Sequence, residues 1–143
     1  GWRIGWACGN EKLVSALATL KENIDSGTFE AIQIAGVECL AGSQDDVEKM
    51  RMIYQKRRDV LVDGLKKLNF EVKIPQATFY LWLKVNQNSI TFAENLLLKA
   101  QIIVTPGVGF GPSGEGYVRF ALTVDEGKIK QAIEKMAEAI KGV

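Results

Sequence analysis

Two arginines stand in surroundings that call for an anion. Arg119 closes the run Gly114-Glu115-Gly116-Tyr117-Val118-Arg119 and sits inside residues 117–122, a stretch of strand formers that are otherwise uncharged. Its guanidinium carries donors in a planar fork that matches a carboxylate or a phosphate in bidentate fashion. One reading leaves Arg119 on the wet face of an edge strand or pairs it with an internal carboxylate such as Glu115. The other gives it a ligand's carboxylate or phosphate. The preceding loop, residues 106–116, holds five glycines and two prolines, and a long Gly-rich connection inside a compact domain is more often a binding loop than filler. Arg3 is the second cation. In residues 1–8 the side chains alternate, Trp2, Ile4, Trp6 and Cys8 on a core face and Arg3, Gly5 and Ala7 on the other. The small residues let either a helix or a ligand approach the backbone, so Arg3 is either solvated at the start of a strand or the cation of an anion site.

Other chemistries are excluded by what the chain lacks. It has no histidine, which rules out Ser-His-Asp and Cys-His nucleophiles and any imidazole metal site. Cys8 and Cys39 form no C-x-x-C pair and are read as buried, inert thiols. Catalysis would fall to lysine, tyrosine, carboxylates or a bound cofactor. With 18 basic and 17 acidic residues, nothing points to a polyanion partner, and Lys56-Arg57-Arg58 beside Asp59 and Asp63 reads as a solvated, internally paired face. No apolar run reaches the length of a membrane span and no signal peptide opens the chain, so a soluble, cytoplasmic protein without nucleic-acid or membrane partners is expected.

The elements that must position the arginines follow from periodicity and capping. Asn10 caps a helix with the stripe Leu13, Leu17, Leu20 and Ile24, and Gly27 breaks it. Residues 28–41 are helical and apolar on most sides, which predicts burial against a partner. Ser43-Gln44-Asp45-Asp46 opens the longest helix, to about Leu68. Residues 70–74 read as a strand ended by Pro75. A second strand over 78–85 turns Leu81 and Leu83 to one face and Tyr80, Trp82 and Lys84 to the other. The pair Tyr80 and Trp82 reads as packing rather than as a stacking platform. Thr91 to Glu94 forms a capping box for a helix to about Ala100, residues 102–104 form a short strand, and Thr123 or Asp125 caps a last helix striped by Ile129, Ile133 and Met136. The fold class is α/β (α+β): a small mixed sheet with helices packed on it over residues 43–143. Residues 1–42 have no sheet of their own and read as the edge of a larger domain, and a chain that opens inside a strand reads as a fragment.

The motifs Gly1-Trp2-Arg3-Ile4-Gly5, Arg57-Arg58-Asp59, Pro75 to Trp82 as P-x-x-T-F-Y-L-W, Pro106-Gly107-x-x-Phe110-Gly111 and Gly114 to Arg119 resemble, in order and over essentially the whole chain, the C-terminal part of a class I/II aminotransferase. These are fold-type I pyridoxal-phosphate enzymes of the aspartate aminotransferase fold, and the sequence is similar to branches acting on aspartate, alanine or LL-diaminopimelate. The resemblance implies the C-terminal edge of the cofactor-binding domain in residues 1–42 and the small domain in 43–143. It implies a cytoplasmic homodimer of amino-acid metabolism that moves an amino group from an amino acid to a 2-oxo acid. By the same likeness Arg3 grips the phosphate of pyridoxal 5'-phosphate and Arg119 the substrate's α-carboxylate. The lysine that forms the Schiff base is expected upstream of Gly1, so no catalytic residue is assigned here and the fragment alone is expected to be inactive. Ala77 stands where the family usually has glycine, which puts the local turn in question. The alternative is a stand-alone α/β module that binds a small carboxylate through Arg119.

Overall fold

Asn10 turns the chain into its first helix. Its side chain accepts from the backbone N–H groups of Lys12 at 3.0 Å and Leu13 at 3.4 Å, two of the donors a helix start leaves unpaired. Helix α1 (Glu11–Glu22) follows, then α2 (Glu30–Ala41). Between them Asp25 pairs with Lys21 and accepts from the Gly27 N–H at 2.8 Å, which turns the chain. The computed structural model describes residues 1–140 and divides into two compact units, Gly1–Val47 and a second that begins at Glu48.

In the first unit neither helix has a buried residue. The strand expected over residues 1–8 does not form: a strand is held by a neighbour's backbone, and no ladder among the described residues pairs with it. Arg3 also interrupts the extended run with φ 61°. Trp2 is 67% and Trp6 70% exposed, and both cysteines are exposed rather than buried, because their face has no layer to pack on within this unit. Ile4 lies over Gly36 of α2, close enough that a methyl there would meet its Cδ1 at 3.4 Å.

The second unit has a continuous core. Helix α3 (Asp45–Lys67) contributes Leu61 and Leu65, and it packs with strands β1 (Tyr80–Lys84), β2 (Thr105–Pro106) and β3 (Tyr117–Ala121) and helices α4 (Ser89–Ala100) and α5 (Glu126–Ile140). The sheet order is β1-β3-β2, antiparallel at both junctions rather than mixed, with Trp82 opposite Arg119 and Thr105 opposite Arg119 on the other side. Alternation along β1 and β3 sends Leu81, Leu83, Val118 and Phe120 into the core.

The strands expected at 70–74 and 102–104 carry no ladder. Asn69 and Gln101 adopt left-handed φ of 63° and 58°, and the next amides close the preceding helices, Phe70 N–H onto the Leu65 carbonyl and Ile102 N–H onto Leu96, both at 3.1 Å. Helix α4 starts earlier than the Thr91 box suggests, because Asn88 accepts from the N–H groups of Ile90 and Thr91. Asp125, not Thr123, caps α5, accepting from Lys128 N–H at 2.9 Å.

Gly64 fixes how α3 meets α5. A Cβ there would lie 2.6 Å from Ile133 Cγ1 and 2.9 Å from its Cγ2, inside van der Waals contact. Gly64→Ala gains up to ~1 kcal/mol of helix propensity and loses ~1–3 kcal/mol to overpacking, so a net destabilisation of about 1 kcal/mol is expected in denaturant unfolding. In an Ile133→Ala background the same change should become neutral or stabilising; equal effects in both backgrounds would show that this contact does not set the crossing.

Candidate functional site

Arg119 is on the middle strand, so the edge-strand reading is removed by the topology. Its side chain leaves the sheet on the face opposite the core, beside Tyr80 and Trp82 of β1. The guanidinium carbon stands 4.0 Å from the centre of the Tyr80 ring and 4.5 Å from that of Phe110. Such contacts attract a cation by about 0.5–2 kcal/mol, but a ring face offers an N–H no lone pair of the carbonyl kind. The consequence is visible at Nε, which is buried and has no hydrogen-bond partner among the described residues. An unsatisfied buried donor costs ~1–3 kcal/mol. Each ring is braced in turn, Tyr80 by Phe79 at 4.4 Å and Phe110 by Trp82 at 5.2 Å.

Phe110 reaches Arg119 because the glycine loop is folded tightly. It ends the 3₁₀ turn Gly107–Phe110, which precedes a second turn, Pro112–Gly114. The backbones of Gly107 and Gly114 approach so closely that a Cβ on either would overlap the other's carbonyl oxygen. No residue but glycine fits at either position. The loop's far end is tied down by Glu115. Its carboxylate accepts from the Ser89 N–H at 2.8 Å and the Ser89 hydroxyl at 3.0 Å, at the start of α4. Glu115 is therefore committed to the loop and does not pair with Arg119.

Arg3 belongs to the first unit, where it is exposed and enters no ion pair among the described residues. Open space surrounds Gly1 and Gly5, so an exposed guanidinium and room for an oxyanion coexist in this segment. The basic cluster on α3 is internally engaged: Lys56 pairs with Glu126 at 3.2 Å, Arg57 donates to the Leu122 carbonyl at 3.1 Å, and Arg58 pairs with Asp59 at 2.7 Å. Ala77 causes no strain, since the left-handed residue of that turn is Thr78, at φ 68°. Among the described residues no group of His, Cys, Asp and Glu could hold a metal. The partners Phe110 and Tyr80 escaped the reading from sequence. For Tyr80 the signal was its place on the same face of β1 as Trp82; for Phe110 it was membership of the Pro106-Gly107-x-x-Phe110-Gly111 motif, since a loop side chain has no periodicity to place it.

Fold and site together are helices packed on a small antiparallel sheet whose outer face carries a half-buried guanidinium between two aromatic rings. A model of the family described as aminotransferase class I and II matches residues 1–136, and the chain belongs to that family, whose members depend on pyridoxal 5'-phosphate. It is 52% identical over 138 residues to an LL-diaminopimelate aminotransferase of Halothermothrix orenii and 46% identical over 142 residues to one of Moorella thermoacetica. These matches cover 95% and 98% of this chain but only 36% of each relative, so the chain spans about a third of their length. Among solved structures, an aspartate aminotransferase from Thermus thermophilus with maleate superposes with a TM-score of 0.87 at 30% identity, over 96% of this chain and 37% of that one. A match along nearly the whole chain does not favour the stand-alone module.

The Glu115 carboxyl is held below the usual carboxylate range, first by the Ser89 N–H and further by the Ser89 hydroxyl, with desolvation acting the other way. A depressed folded pKa means that the unfolded chain binds more protons. The tie should therefore stabilise the fold above the unfolded pKa of about 4.3 and lose its effect as pH falls through the lower folded value. Urea unfolding of the parent and Glu115→Gln is expected to show a gap that is widest near neutrality and closes in acid; a gap independent of pH would remove the carboxylate's role.

Proposed function

We propose that the chain is the C-terminal part of a pyridoxal-phosphate aminotransferase that moves an amino group from LL-diaminopimelate to a 2-oxo acid in two half-reactions. Residues 1–42 would be the edge of the cofactor-binding domain and 43–143 the small domain, in a cytoplasmic homodimer. The donor is suggested by the relatives named for it. The single observation behind the reading is the buried, unpartnered Nε of Arg119 between Tyr80 and Phe110, a donor array that a carboxylate would satisfy.

The cofactor, when bound, supplies the carbonyl carbon and electron-withdrawing ring to which the amino group passes and from which it returns. Arg3 would hold its phosphate, a charge-assisted contact of roughly 1.5–3 kcal/mol. Arg119 would take the α-carboxylate of the amino acid in its fork. That fixes the substrate at two points once the amino group is engaged, and so sets the direction of the Cα–H bond. No lysine of this chain is assigned to move that proton, and the activity proposed is that of a longer protein carrying this chain.

In that longer protein Arg119→Lys keeps the charge and loses the fork, and two charge-assisted bonds reduced to one predict a fall in kcat/KM for the amino acid of about a hundred-fold. Steady-state kinetics in which the variant stayed within about three-fold of the parent would overturn the role of Arg119.

A further inference from the structure

We infer that Tyr80 and Phe110 are positioning residues for the carboxylate fork, acting by fixing the plane of the Arg119 guanidinium and shielding its Nε from water before any ligand arrives. The inference rests on the proposed role of Arg119 and extends it to two residues that need not touch the substrate.

A guanidinium on a strand is ordinarily hydrated, and a carboxylate that replaces its water gains little. Here ring centres stand 4.0 and 4.5 Å from the guanidinium carbon, and Nε is already shut off from solvent without a partner. The part of the desolvation that concerns Nε is thus met by folding. The rings also limit rotation of the planar group, which matters for a ligand that must be met by two parallel N–H donors. Each ring is flanked by another aromatic side chain, although Phe110 is itself 51% exposed. Tyr80 is in contact with Phe79, which packs on Tyr54 of α3 at 5.8 Å, and Phe110 meets Trp82 edge-on. Trp82 is the strand partner directly opposite Arg119, so the same register that places the cation also places the brace for its ring. Each ring therefore has an aromatic neighbour on one side and, on the other, the guanidinium with its unpartnered Nε.

The test uses the longer protein with its cofactor bound and compares Phe110→Leu, Tyr80→Leu and Tyr80→Phe with the parent and with Arg119→Lys. Maleate, a dicarboxylate with no amino group to react, reports on the fork by competitive inhibition. Each leucine variant should weaken maleate about ten-fold and raise KM for the amino acid by a similar factor, with kcat within about two-fold and the cofactor's absorbance unchanged. Tyr80→Phe, which keeps the ring, should behave as the parent. A nitrogen-15 spectrum of the parent gives a second measure that needs no variant: the Arg119 Nε–H should exchange slowly without ligand and shift on adding maleate. If the leucine variants bind maleate as the parent does while Arg119→Lys does not, the rings are packing only and the inference fails by itself. If Arg119→Lys also binds maleate normally, the reading of Arg119 falls and the inference with it. Exchange of Nε–H at the rate of an exposed arginine would equally overturn it.

Discussion

The cation of Arg119 lies against two aromatic rings with one of its donors shut away from water, and this contact needs most of the second unit to exist. It needs a middle strand, because only there do neighbours on both sides hold the backbone in register. It needs β1 paired so that Tyr80 and Trp82 fall on the same face as Arg119. It also needs the core residues Leu81, Leu83, Val118 and Phe120 on the opposite face, since their burial decides which side of the sheet the cation takes. A slip of one residue in β3 would turn Arg119 into the core, where an unpaired charge is far more costly than it is against the rings.

The glycine loop contributes rigidity rather than motion. Two backbone segments meet at Gly107 and Gly114 at a distance no side chain allows, and the Glu115 carboxylate fastens the far end to the start of α4. Glycine is usually read as freedom. In this loop it permits close approach, and close approach fixes Phe110. The same economy appears at Gly64, where the missing side chain lets Ile133 of α5 come near α3.

The first unit has the opposite character. Asn10 caps α1 while α2 starts at Phe29 without a side-chain cap, neither helix buries a residue, and Phe29 with Ile34, Val37 and Leu40 of α2 is exposed. Membership of the aminotransferase family over residues 1–136, with only about a third of the relatives' length spanned, gives such apolar faces a natural setting in a larger protein. Local sequence made the helices; burial depends on surfaces that these residues do not supply to one another.

What the sequence by itself determined is local. Asn10, Asn88 and Asp125 begin helices because a short polar side chain satisfies amides two or three residues on, and alternation in β1 and β3 assigns core and outer faces. The motifs around Arg3 and Arg119 were legible in the same way, as residue types at fixed spacing. Only the tertiary structure decided that β3 is central, that residues 1–8, 70–74 and 102–104 have no ladder, and that Glu115 serves Ser89 instead of Arg119. It alone brought Phe110 and Tyr80, thirty positions apart in the chain, to one guanidinium. The reason is physical: a cap or an alternating face is settled by neighbours within a few residues, whereas a ladder or a ring against a cation is settled by whichever distant segment folding places alongside.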